Sequence, residues 1–140
     1  MKSIEVKIRK IDPKAVIPKY AQIGDAGCDL VAVSRGILNN KLVLGTGLAM
    51  EIPEGYVGLI FPRSSVFKYN ARLSNSVGVI DSKYRGEIKV IFDITGDELY
   101  NIGDRVGQII IIPYPQVTFQ EASELSSSER GMGGFGSTGS

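Results

Sequence analysis

More than ten short stretches of strand-like alternation or apolar residues follow one another along this chain, cut apart by Gly, Pro, Asn and Asp, with hardly any helical periodicity. That rhythm constrains the fold more than any other feature. It predicts an all-β sandwich or barrel, because strands of this length can bury one face only against a second sheet. Residues 4–8 alternate with period two, and Pro13 and Pro18 then exclude a helix. Residues 30–33, 37, 42–44 and 48–52 read as short strands, and Pro53-Glu54-Gly55 as a tight turn with Pro at its second position. Residues 56–61 are apolar on both faces and are expected to be buried; residues 66–69 can form one helical turn. Strands are predicted again at 71–73, around Gly78, at 88–94, at 105–112 and at 117–119.

With 140 residues the chain fits one domain, and a chain of that size buries roughly 68% of the surface its unfolded form exposes. The single Cys28 leaves no intramolecular disulfide, and no segment near the N-terminus pairs a basic stretch with a long apolar run. The expected location is therefore cytoplasmic, or intracellular in a host if the source is viral. No stretch reaches the roughly 18 apolar residues of a membrane span. A net charge of +1 offers no basic stripe for a nucleic-acid polymer. The absence of His is more restrictive. It excludes Ser-His-Asp and Cys-His nucleophiles, His-ligated metals and the usual Cys/His zinc sites. A general base must be Asp, Glu, Lys or Tyr, and a metal would be a hard cation held by oxygen, Mg²⁺ on phosphates being the usual case.

Five places carry polar groups that strand formation does not require. Residues 75–87 run from Asn75 through Gly78 into Asp81, followed at short spacing by Tyr84, Arg85 and Gly86, and read as a hairpin with chemistry at its turn. By itself this is also an ordinary β-turn. A glycine-rich turn at 24–30 carries Asp25 and Asp29, for which turn-making is the plain alternative. Pro62-Arg63-Ser64-Ser65 suits an anion, or Ser caps a short helix beside a surface Arg. Gln108 is a lone amide in an apolar run, needing either backbone partners or a ligand. After residue 120 a polar tether leads to a glycine-rich end with Arg130 and Phe135; it is either a disordered tail or a flexible flap whose backbone meets an anion while Phe135 stacks on a base.

Together these places resemble the five ordered motifs of the trimeric deoxyuridine triphosphate nucleotidohydrolases (dUTPases): residues 26–30, 62–65, 75–87, 103–109 and 130–139. The resemblance spans nearly the whole chain. It implies a distorted jelly roll of the β-clip type, a domain at 1–120, a tether and arm at 121–140, and a homotrimer whose active sites are shared between subunits and closed by the arm. It implies hydrolysis of dUTP to dUMP and pyrophosphate, keeping uracil out of DNA and supplying dUMP for thymidylate synthesis. Asp81 would be the general base, activating a water for in-line attack on the α-phosphorus. Tyr84 would exclude a 2′-hydroxyl; Asn75 and the backbone of Gly78, Val79 and Ile80 would read uracil. Arg63, Ser64, Ser65 and Gln108 would hold the phosphates, with Mg²⁺ bridging phosphate oxygens and Asp29 reaching it through water. Arg130, Gly136, Ser137 and Thr138 would clasp the nucleotide from the arm, and Phe135 would stack over the base. Cys28, Ser65-Val66 and Lys83 depart from the residues common in that family at those places. A deoxycytidine triphosphate deaminase, or a non-catalytic nucleotide-binding regulator on the same scaffold, is the alternative; the deaminase needs a glutamate beside the base, and in the 75–87 hairpin none comes before Glu87.

Overall fold

The alternating segments fold into ten strands in a computed structural model that describes residues 3–136. In chain order these are β1 (Lys7–Lys10), β2 (Cys28–Val31), β3 (Ser34–Leu38), β4 (Lys41–Gly45), β5 (Leu48–Glu51), β6 (Tyr56–Phe61), β7 (Ala71–Leu73), β8 (Gly78–Ile80), β9 (Lys89–Ile94) and β10 (Arg105–Pro113). A 3₁₀ turn, Ser64–Lys68, lies between β6 and β7. Two four-stranded sheets, ordered β2-β10-β6-β8 and β3-β4-β9-β7, and a two-stranded ribbon β1-β5 make up the all-β fold, a distorted jelly roll in which every pairing is antiparallel.

The period-two pattern explains the layering. On β4, Leu42 and Leu44 point inward; their partners across the ladder, Phe92 and Val90, do the same. From the other sheet, Leu30, Ile60, Val106 and Ile109 complete the core. Each of these side chains contributes about 1.5–3 kcal/mol by leaving water. The β3–β4 loop is Asn39-Asn40, both at positive φ (51° and 61°), the backbone that a two-residue hairpin loop needs and that Asn tolerates.

Several sequence expectations need correcting. The first strand begins at Lys7, where pairing with β5 begins. Pro53 occupies the first, not the second, position of its turn, since Tyr56 N–H donates to the Pro53 carbonyl and Gly55 takes the positive φ of 88°. β6 is only partly buried, with Tyr56, Val57, Leu59 and Phe61 half-exposed. Residues 117–119 form no strand: Val117 and Phe119 find no ladder partner and stay 57% and 93% exposed. The stretch 75–87 is not a ladder hairpin either, because β8 pairs with β6 while β9 pairs with β4 and β7. Residues 81–86 instead carry the chain from one sheet to the other. Among the described residues no helix is long and apolar enough to cross a membrane.

Candidate active site

Strand register assembles the first half of the site. Gln108, on β10, sits opposite Asp29 of β2 on one side and Phe61 of β6 on the other. β6 ends there, and Pro62-Arg63 folds back over the row. The Gln108 amide, half-buried rather than fully enclosed as the sequence suggested, donates from Nε2 to the Pro62 carbonyl at 3.0 Å. Arg63 Nε donates to Asp29 Oδ1 at 3.0 Å, and its Nη1 donates to the Ser65 hydroxyl at 3.2 Å. Arg105 approaches the other Asp29 oxygen at 3.6 Å. Asp29 therefore lies on a strand, fixing two guanidinium groups, while Asp25 keeps the plain role: its carboxylate accepts from Gln22 N–H within a turn.

Two further features of this half were not read from the sequence. Gly27 has no side chain because Gln108 occupies the space; a Cβ there would lie 2.5 Å from Gln108 Oε1. Arg105 is the second partner of Asp29, and its position at the head of the apolar run was the available signal. Arg63 caps the 3₁₀ turn in position only, since no side chain bonds its free N–H groups, so neither serine is an N-cap. Ser64 is exposed beside Arg63. The Cys28 thiol is pushed up by burial and by the charge of Asp29, which makes it a packing residue and not a nucleophile.

The second half exists because a ladder is missing. β8 pairs with β6 along one edge and is the last strand of its sheet. Its other edge borders a cavity of about 220 Å³ lined by Asn75, Gly78, Val79 and Ile80 on one side and by Lys89, Val90 and Ile91 of β9 on the other, with Ile60 and Leu73 at its floor. An unpaired strand edge offers N–H and C=O groups in a row. Such an edge over apolar walls suits a flat, polar-rimmed ring. An adjoining cavity of about 300 Å³ shares Val79, Ile80, Lys89 and Ile91 and adds Asp81, Tyr84 and Glu87. Asp81 is exposed, and its carbonyl accepts from Tyr84 N–H at 3.1 Å. The Tyr84 hydroxyl donates to the Glu87 carbonyl at 2.8 Å. Gly86 is what lets the ring lie there, since a Cβ would come within 2.5 Å of that hydroxyl. Arg85, to which the sequence assigned no task, closes the turn by donating to the Ser82 carbonyl at 2.6 Å and pairs with Glu51 of β5 at 3.5 Å.

These two halves do not meet within one chain. Asp81 follows Ile80, which sits opposite Gly58, so it lies beside Val57, four residues along β6 from Phe61 and the Gln108 row. That is about 13 Å along the strands, and the order β2-β10-β6-β8 adds three strand spacings, about 14 Å, between Asp29 and Asp81. The arm is apart from both. Among the described residues Arg130 bonds only locally, donating from Nε to the Gly133 carbonyl at 2.6 Å; Phe135 is fully exposed and Gly136 is exposed. Ser137 and Thr138 lie outside the described residues.

This geometry can be set beside known proteins. The dUTPase family model matches residues 13–139. A deoxyuridine 5′-triphosphate nucleotidohydrolase of Nautilia profundicola is 43% identical, covering 97% of this chain and 99% of the relative. One from Clostridium acetobutylicum is 40% identical over 97% of each. Among solved structures, a variant dUTPase of Staphylococcus bacteriophage 80alpha with dUpNHpp superposes with a TM-score of 0.83 at 26% identity, covering 99% of this chain and 100% of that one. With the family model spanning all five motif positions, the register setting Gln108 beside Asp29, and Arg63 bonded to Asp29, the chain belongs to the dUTPase family.

Proposed function

We propose that this chain hydrolyses dUTP to dUMP and pyrophosphate, removing the precursor of uracil in DNA and supplying dUMP for thymidylate synthesis. The observation that carries the reading is the unpaired edge of β8, which gives one slot a polar rim, apolar walls, and Asp81 and Tyr84 at its mouth. Uracil enters the slot, where Asn75 and the backbone of Gly78, Val79 and Ile80 match its donors and acceptors. A site built on hydrogen bonds rejects a mismatched analogue by on the order of 10⁴, which covers the 4-amino group of cytosine. Tyr84 lies along the deoxyribose and leaves no room for a 2′-hydroxyl.

Asp81 accepts a proton from a water as that water attacks the α-phosphorus. The bond from the α-phosphorus to the bridging oxygen breaks, and pyrophosphate leaves with the electron pair. Arg63, Ser64, Ser65 and Gln108 hold the phosphate oxygens as charge develops, the main electrostatic contribution in such transfers. The arm, residues 121–140, closes over the nucleotide: Arg130, Gly136, Ser137 and Thr138 clasp phosphates, and Phe135 covers the base.

The Asp81 and Arg63 halves are too far apart in one chain to serve the same phosphate group, which supports a homotrimer with shared sites. Exposed Phe67, Val117 and Phe119 supply apolar surface for such contacts. Magnesium fits as a passenger of the substrate. Among the described residues no group of three or more His, Cys, Asp or Glu could hold a metal, and both Asp29 oxygens already face arginines. The phosphates would carry Mg²⁺, with Asp29 reaching it only through water; bound there it offsets phosphate charge. The lone thiol and the nucleotide substrate are in keeping with a cytoplasmic enzyme.

The deaminase alternative finds its glutamate already engaged, because the Glu87 carboxylate accepts from Gly47 N–H. Pyrophosphate release measured with dUTP, dCTP, dTTP and UTP in Mg²⁺ separates the readings. Turnover of dUTP alone is expected; conversion of dCTP to dUTP, or indifference among the four, would overturn the proposal.

A further inference from the structure

Glu87 ends the Asp81 turn, and no step of the hydrolysis uses its carboxylate. That group is nevertheless tightly placed. Its Oε2 accepts from Gly47 N–H at 3.0 Å, and it passes so close to Gly45 that a Cβ there would lie 2.5 Å from it. The corner it grips cannot give way: Gly47 has φ +70°, and a Cβ on it would meet Asp12 Cβ at 2.8 Å and Val33 Cγ2 at 3.0 Å. The next residue is pinned to the same corner. The Ile88 carbonyl accepts from both Thr46 N–H (3.1 Å) and Thr46 Oγ1 (2.7 Å), and Ile88 N–H donates to the Leu48 carbonyl at 2.8 Å. Thr46 is fully buried. The peptide joining residues 87 and 88 is therefore held by the Glu87 side chain on one side and by the Leu48 carbonyl on the other, while Thr46 fixes the peptide that follows. The carbonyl of that same peptide receives the Tyr84 hydroxyl.

We infer that Glu87 is a positioning residue that sets the preference for a deoxyribose over a ribose, acting through Tyr84. The chain of contacts is Gly47 N–H to the Glu87 carboxylate, Glu87 backbone to carbonyl, carbonyl to the Tyr84 hydroxyl, and ring to sugar. The inference rests on the reading of Tyr84 as the residue that excludes a 2′-hydroxyl. Exclusion by bulk works only if the ring cannot retreat. An aromatic ring on an exposed turn retreats unless its far end is tied, and the tie here runs to the carboxylate that Gly47 N–H holds. Removing that carboxylate leaves the Ile88 side of the peptide on Leu48 but takes the side-chain hold from its Glu87 side, which carries the Tyr84 bond, and the ring then moves aside for UTP.

The test compares Glu87→Ala with Glu87→Gln, whose amide oxygen still accepts from Gly47 N–H. Losing a hydrogen bond to a charged group corresponds to roughly a tenfold effect or more. The ratio of kcat/KM for dUTP to that for UTP is expected to fall about tenfold in Glu87→Ala, mainly through a lower KM for UTP, and to stay within about threefold of wild type in Glu87→Gln. Tyr84→Phe, which cuts the same chain at its other end, should lower the ratio without adding to Glu87→Ala. A measurement on the nucleotide-free protein accompanies these: amide hydrogen exchange over residues 82–88 should quicken in the Ala variant and not in the Gln variant. A wild-type ratio near one would remove the sugar role of Tyr84 and the inference with it. A discriminating wild type whose Ala variant keeps its ratio, or loses dUTP and UTP turnover by one common factor, would overturn the inference alone, as would unchanged exchange.

Discussion

The proposed phosphate clasp and the proposed base slot are built on opposite principles. Asp29, Gln108 and the end of β6 are set side by side by the two ladders that meet on β10, so their spacing is dictated by backbone pairing. The slot arises where pairing stops, between the free edge of β8 and the start of β9. A ladder gives rigid placement for groups that meet charge; an open edge gives unused backbone groups that can read a ring. Changes in the clasp should therefore weaken phosphate holding in proportion to the contacts removed, while changes in the slot should alter chemistry and selectivity with little effect on folding.

Asp81→Asn makes the sharpest break between the two. It should retain dUTP binding by calorimetry and lose about 10²- to 10⁴-fold in pyrophosphate release; unchanged turnover would remove Asp81 as the base. Arg63→Ala comes next. It strips Asp29 of its closest partner and should raise KM for dUTP by about 10- to 100-fold, as expected for a lost charge-assisted hydrogen bond. Arg63→Lys should recover only part of that, because an ammonium cannot serve Asp29 and Ser65 in one plane. Gly27→Ala is smaller again. The new methyl group displaces the Gln108 amide, so a rise of about threefold in KM with kcat nearly kept is expected, in line with one weakened neutral hydrogen bond.

The smallest effect concerns acid. Lys41, with the Ser74 hydroxyl and Arg72, holds the Asp93 carboxyl on β9 down to about 2 from its ordinary 3.8. A depressed carboxyl stabilises the fold above its unfolded value and loses that contribution as pH falls toward about 2. Asp93→Asn should accordingly lower the urea midpoint slightly at pH 6, and the gap to wild type should narrow at pH 2.5. A gap that widened instead would reverse the sign of this argument.

How legible each region was in the sequence follows from the same contrast. Period-two patterning announced most strands, and the five motif positions named Asp81, Tyr84, Arg63 and Gln108 before any coordinates. Pairing partners were not legible. Nothing in residues 75–87 says that β8 joins β6 and not β9, because both choices bury Ile80 equally well in a one-dimensional pattern. Gly27 and Gly45 were opaque for a related reason: the groups that need their missing side chains, Gln108 and Glu87, approach from remote parts of the chain. Residues 117–119 carry a strand pattern but have no partner strand among the described residues, so apolar alternation there misled.

The four-residue offset along β6 has a genetic consequence. On the proposed shared-site assembly, a copy without Asp81 still offers an intact clasp, and a copy without Arg63 still offers an intact slot. Alone, the first would turn over almost no dUTP and the second would need far more of it, yet mixed trimers refolded from the two should regain activity at low dUTP at the sites where one copy's good half faces the other's. Two such alleles expressed in one cell would complement each other, whereas either one beside the wild type would spoil sites on its healthy neighbours.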